Sequence, residues 1–250
     1  MAVKPKVAFF DFAGCEGDQL QVANLEERLL DILAHIEVVS FREIKTEHSD
    51  DYDIAFVEGS ITRPEDEKRL KEIRENAGIL VALGACATIG GINCLKNFIN
   101  ESEYRSTVYG SSARWYSTYA SRPLSAVVPV DMDIHGCPID KNEFATAVKE
   151  LLLGKIYTPP DYPVCAECKM AGNICRYEQG QLCLGIVTRA GCKACCVTEG
   201  SFCWGCRGMA PEANLDAAAR IMEDHGFTRL NAQDRLRLYF GCTDRAFNPG

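Results

Sequence analysis

The sequence predicts an α/β fold: a parallel sheet with helices on both faces, followed by a small cysteine-rich region. Two observations carry this. Up to residue 156, short apolar runs of strand length alternate with amphipathic helical segments, the pattern of a parallel sheet crossed by helices. After it the alternation stops, and nine of the fourteen cysteines fall between Cys165 and Cys206.

The elements follow in order. KVAFFDF is apolar enough for a strand buried on both faces. QLQVANLEERLLDILAHI reads as one helix with Leu25, Leu29, Ile32 and Leu33 on a shared face. HIEVVSF and DIAFVEG read as the next strands. A helix is expected from Pro64 to Gly78, with Glu65, Asp66 and Glu67 in its first turn. GILVALGA and LSAVVPVDM read as strands. DKNEFATAVKELLLG closes this half, with Asp140 and Glu143 in capping-box positions and Gly154 just past the end. YTPPDYP cannot continue a helix, which sets the expected domains at 1–156 and 157–250. In the second, PEANLDAAARIMEDHG reads as a helix with Pro211 near its start and Gly226 after its end.

Composition narrows the function. A net charge of −8 argues against a nucleic-acid partner, which needs a basic patch. No apolar run approaches the ~20 residues of a membrane span. MAVKPKVAFFDF enters a strand directly, without a secretory h-region or twin arginine, so the expected compartment is the cytoplasm. Cysteines at this density in a cytosolic chain point to metal binding more than to disulfides.

Three cysteines fall at strand ends. Cys15 follows the first strand, Cys86 follows ILVALGA and Cys137 follows VVPVDMDIHG. The carboxyl ends of parallel strands share one edge, where ligands bind, so these residues should converge. Cys94, beyond GGIN, does not fit the pattern, and Cys94 and Cys242 are expected to stay unligated. Burial as ordinary core cysteine is the plain alternative, but Gly14, Gly17, Gly84 and Gly136 nearby would let the backbone approach a bulky group. Three thiolates suit a soft metal or an iron–sulfur cluster and need a fourth ligand. Asp18 is the candidate. Its rival role is capping the following helix, in which case Glu58, at another strand end, is the fallback. His135 reads as structural or as a neighbour of the ligands.

The second half spaces its cysteines as Cys165-x2-Cys168-x6-Cys175-x7-Cys183-x8-Cys192-x2-Cys195-Cys196-x6-Cys203-x2-Cys206. So few apolar residues cannot build a core unaided. Zinc is one reading of the C-x2-C pairs, but it gives the first three cysteines no role. Two four-iron clusters use eight of the nine thiols and leave Cys195 as the spare.

DFAGCEGDQLQ, DIAFVEGSI, VALGACATIGGI and IHGCPID resemble the N-terminal domain of [NiFe]-hydrogenase small subunits. CLGIVTRAGCKACC with FCWGCRG resembles the two-cluster tail of the cytoplasmic, multisubunit group of that family, which includes the sulfhydrogenase delta subunit and methanogen hydrogenase small subunits. The resemblance covers nearly the whole chain. It implies a flavodoxin-like domain followed by a ferredoxin-like iron–sulfur domain, with three [4Fe–4S] clusters in all. The proximal cluster would be held by Cys15, Cys86, Cys137 and, where most relatives have cysteine, Asp18. Two further clusters would be held by Cys165, Cys168, Cys175, Cys183, Cys192, Cys196, Cys203 and Cys206, with their partition open. Glu16 would be a proton relay near the nickel. The implied partners are a large subunit carrying the Ni–Fe centre and a flavin- or iron–sulfur-bearing electron-transfer subunit. The aromatic segment YRSTVYGSSARWYSTYASRP suits an interface with the large subunit. The alternative is an electron-transfer subunit of a redox complex without hydrogen chemistry. The related respiratory complex I subunit fits less well, because its tandem cysteine pair is absent at Cys15 and its usual form lacks the cysteine-rich half.

Overall fold

The computed structural model describes residues 4–243. Strands β1 (Lys6–Asp11), β2 (Glu37–Ser40), β3 (Ile54–Glu58), β4 (Ile79–Leu83) and β5 (Met132–Ile134) form one parallel sheet in the order β2-β1-β3-β4-β5. The order reverses between β1 and β3, the switch point where α/β sheets open a crevice. The connections are α1 (Gly17–Ala23) and α2 (Glu27–Leu33) after β1, α3 (Pro64–Asn76) after β3, α4 (Gly84–Ile89) and α5 (Glu101–Tyr109) after β4, and α6 (Lys141–Leu152) after β5.

The two-residue period of the strands divides the core. Phe9, Phe56, Val81 and Leu83 pack on one face against Val22, Leu25, Phe144 and Val148. Ala8, Ala55, Val57, Leu80 and Ala82 face the other way, onto Leu70 and Ile73 of α3. All five β3 residues are buried, which is why DIAFVEG shows no polar alternation.

Three segments depart from expectation. The long helix after β1 is two helices, broken where Glu26 takes φ 57° and Leu25 turns into the core. LSAVVPVDM forms a 3-10 turn at Leu124–Ala126, and the strand is only Met132–Ile134. Pro129 has no N–H for a ladder, while Leu124 and Val128 pack on the α3 side. Asp140 caps α6 through the Asn142 and Glu143 amides, but Glu143 does not close the box. It turns to Arg207 instead.

The cysteine-rich half contains α7 (Val164–Met170), α8 (Cys195–Thr198), α9 (Leu215–Asp224) and α10 (Arg229–Phe240). Asn214, not Pro211, starts α9 by accepting the Ala217 amide. Helix α10, begun by a Thr228–Asn231 capping box, has a weak apolar stripe and was not anticipated as a separate element. Val164, Leu184, Val187, Val197, Met222 and Phe240 pack with Cys183 and Cys203 into a small core of their own. Among the described residues no helix is long and apolar enough to cross a membrane.

Candidate metal centres

Cys15, Cys86 and Cys137 reach one crevice at the carboxyl edge of the sheet. Beyond β1 the chain crosses the exit of β3, where Ala13 and Ser60 exchange backbone hydrogen bonds at 3.1 and 2.8 Å. Gly59 makes this possible: at φ 93°, a Cβ there would lie 2.6 Å from the Phe12 carbonyl carbon. Cys86 sits in the first turn of α4, deeper than the exposed Cys15 and Cys137. Burial pushes its thiol up to about 12, helped by the charges of Cys137, Asp18, Cys15 and Glu58. The same four groups that the sequence singled out thus act on one another here.

Asp18 is buried, at 5% exposure. Its carboxylate does not cap its own helix. Oδ1 accepts the Ile139 amide at 2.8 Å, and Oδ2 lies against Gly84, where a Cβ would come within 1.7 Å. Burial pushes this carboxyl up to about 6 against the Ile139 hydrogen bond. Glu58 takes the capping role, accepting the Gln19 amide at 2.9 Å and the Asp18 amide at 3.4 Å. Burial, then the Asp18 charge, push Glu58 up to about 7. The fallback ligand is therefore already engaged at the start of α1. Glu16 lies at the mouth of the crevice at φ 61°, its Oε1 2.6 Å from Arg42.

The remaining thiols neighbour one another in the cysteine-rich half. Burial pushes Cys165 up to about 12, with Cys183, Cys168 and Cys175 adding to it. Burial likewise pushes Cys206 up to about 12, followed by the charges of Cys192, Cys137 and Cys196. Cys203 senses both Cys183 and Cys206, and its amide donates to Cys183 Sγ at 3.2 Å. Cys165 thus has Cys168, Cys175 and Cys183 as neighbours and Cys206 has Cys192 and Cys196, with Cys183 and Cys203 forming a wall between them. Gly185 lines that wall, a built Cβ lying 3.5 and 3.6 Å from Cys165 and Cys183 Sγ. Cys206 also lies near the crevice, since Cys137 acts on its thiol. Cys195 is exposed, and burial and the neighbouring Cys196 push its thiol up.

These buried thiols have a high cost of ionising, which Lys169 near Cys165 and Arg207 near Cys192 offset only in part, and iron-bound cysteine must be thiolate. The donor chemistry fits an iron–sulfur cluster, which supplies the compensating charge. Among the described residues, no three His, Cys, Asp or Glu side chains are grouped tightly enough to hold a single metal ion.

Arg207, next to Cys206, is 1% exposed. Its guanidinium donates to both oxygens of Glu143, to His135 O and to Ala190 O, each at 2.7 Å, tying the sheet half to the thiol half. Burial, with Arg207 and Arg189 nearby, pushes the His135 imidazole down to about 3. Two features escaped sequence reasoning: this ion pair, whose partners are 64 positions apart, and a disulfide joining Cys94 to Cys242. The two cysteines left outside both thiol patterns were the available signal for the disulfide.

Residues 15–151 match the family described as NADH ubiquinone oxidoreductase, 20 Kd subunit. The chain belongs to this family. Its relatives beyond that segment are hydrogenase subunits. Sulfhydrogenase 2 subunit delta of Pyrococcus furiosus is 32% identical over 88% of this chain and 92% of that protein. A vhu subunit of the F420-non-reducing hydrogenase of Methanocaldococcus jannaschii is 31% identical over 93% and 92%. Among solved structures, a chain of the NAD+-reducing [NiFe]-hydrogenase in the H2-reduced state superposes with a TM-score of 0.56 at 26% identity, covering 63% of this chain and 96% of that one. Within the 20 Kd subunit family the chain is thus of the hydrogenase small-subunit kind, an electron-transfer subunit of an oxidoreductase.

Proposed function

We propose that the chain is the iron–sulfur small subunit of a cytoplasmic [NiFe] hydrogenase with three [4Fe–4S] clusters. In this reading Cys15, Asp18, Cys86 and Cys137 hold the proximal cluster. Cys192, Cys196, Cys203 and Cys206 hold the middle one, and Cys165, Cys168, Cys175 and Cys183 the outer one. Clusters of this kind supply one-electron transfer. The observation that carries the reading is the contiguity of the three donor sets, through Cys137 and Cys206 and then Cys203 and Cys183.

The protein's own part is to hold and shield. Gly84 leaves room for the Asp18 carboxylate, Glu58 fixes the start of α1, and the small apolar core encloses Cys183 and Cys203. The exposed side chains of Val108, Tyr109 and Tyr116 line a cleft that includes Phe12 and Ala13, just before Cys15 in the chain. We assign this face to the large subunit carrying the Ni–Fe centre. Electrons would pass from the outer cluster to a flavin- or iron–sulfur-bearing partner. A proton relay through Glu16 would require opening its ion pair with Arg42. We assign domains at 1–156 and 157–250 because, among the described residues, the sheet and the thiol half each have a core of their own, with Arg207 bonded across to Glu143. Twelve of the fourteen cysteines are free thiols, the state a reducing compartment keeps, and the Cys94–Cys242 pair is the exception.

The test is the complex purified with its neighbouring subunits. Hydrogen-dependent dye reduction together with bound nickel supports the reading. Iron–sulfur signals without either assign the chain to a redox complex lacking hydrogen chemistry.

A further inference from the structure

Between α10 and the loops around Cys183 and Cys203 lies a cleft of about 700 Å³. Leu182, beside Cys183 in the chain, forms part of its wall, as do Phe202 and Trp204 on either side of Cys203. The two rings lie 4.4 Å apart. The Arg235 guanidinium packs on both, its Cζ 4.3 Å from the Phe202 ring centre and 4.8 Å from that of Trp204. The Trp204 indole stays exposed. Arg235 has spare donors. Its Nη1 is shut off from solvent and meets no acceptor among the described residues. Arg105, Arg122, Arg176 and Arg237 also have a buried Nε without a partner, but each places another nitrogen on an oxygen acceptor. The carboxylate nearest in sequence, Asp234, lines the same cleft but is paired with Arg237 at 3.1 Å. A buried charged donor without an acceptor is costly, and the two rings hold this one at the cleft wall.

We propose that this cleft docks an acidic side chain of the electron-accepting subunit, whose carboxylate takes the Arg235 guanidinium. This docking role rests on the reading of the chain as an electron-transfer subunit with its outer cluster at Cys165, Cys168, Cys175 and Cys183. A carboxylate matches the planar fork of a guanidinium with two parallel hydrogen bonds. A phosphate fits worse. It would bring up to about two negative charges to a cleft whose lining, among the described residues, holds Arg235 as its one cation and Asp234 beside it. Arginine and tryptophan are also residue types that dominate binding at the centre of protein interfaces. A partner seated here would rest against the residues that flank Cys183 and Cys203, next to the proposed outer cluster.

The experiment uses the complex purified with its large and electron-transfer subunits. Arg235→Lys puts an amine at the site, and a carbodiimide joins amines to carboxylates in direct contact. Mass spectrometry is expected to find that amine linked to an Asp or Glu of the electron-transfer subunit. A link to the large subunit, to a second copy or within this chain overturns the proposal, as does the absence of any link. In parallel, Arg235→Gln should weaken the hold on the electron-transfer subunit, measured by its loss on dilution, by about tenfold, and Arg235→Glu by more, with the iron–sulfur signals unchanged. Retention equal to wild type in both variants overturns the proposal. Should Arg235→Gln disturb the clusters, the cross-link decides. If the wild-type complex carries clusters but passes no electrons from them to that subunit, the functional reading falls and the docking role with it. If electrons pass and no link forms, only the docking role falls.

Discussion

Replacing Glu143 by alanine should unsettle the whole chain, although Glu143 lies on α6 and touches none of the proposed ligands. Its carboxylate receives two hydrogen bonds from Arg207 at 2.7 Å and one from the Tyr157 hydroxyl at 2.8 Å. Both ends of the ion pair are almost fully buried, at 1% and 5% side-chain exposure. Removing one partner of such a pair leaves an uncompensated charge inside the protein, which costs about 3–5 kcal/mol. For a chain of this size that corresponds to a loss on the order of 10 °C in Tm. Arg207 would keep only His135 O and Ala190 O as acceptors. Thermal unfolding of the iron-loaded chain, followed by circular dichroism, measures the loss. The double change Glu143→Leu with Arg207→Met should recover much of it, because no charge is then stranded. A Glu143→Ala chain within about 1 kcal/mol of wild type, a size typical of exposed ion pairs, would refute the view that this pair joins the two halves.

Gly84→Ala should abolish the proximal cluster signal, because the new methyl would meet Asp18 Oδ2 at 1.7 Å on a backbone at φ 82°; an intact signal would place Asp18 elsewhere. Asp18→Cys should shift the proximal potential by exchanging a carboxylate for a softer thiolate, and an unchanged spectrum and potential would remove Asp18 from the ligand set. Cys195→Ser should leave all three clusters in place while Cys196→Ser loses the middle one, as counted by iron analysis; the reverse pattern would exchange their roles. Stripping the iron should expose 165–206 to protease while the sheet half stays resistant, since the thiol half has only a small apolar core.

Much of the sheet half was legible because its signals are local. KVAFFDF, DIAFVEG and GILVALGA carry the apolar density of strands buried on both sides, and β1, β3 and β4 lie within them. Where the sequence misled, packing overrode the pattern. Glu26 breaks a helix that periodicity would continue, and Pro129 keeps an apolar run out of the ladder. The convergence of Cys15, Cys86 and Cys137 could be reasoned from strand ends alone, as parallel topology brings those ends to one edge. How the tail cysteines divide could not, because spacing along the chain does not say which loops fold back together, as the Cys203 amide does onto Cys183 across twenty positions. Asp18 offered two roles from sequence. Only the position of Glu58, forty residues away, shows that capping is already served.

The central claim is that this chain carries three four-iron clusters, and the iron and acid-labile sulfide content of the anaerobically purified full chain tests it most directly. The account predicts about twelve of each per chain. Zinc in place of iron, or iron and sulfide sufficient for a single cluster after full reconstitution, would contradict it.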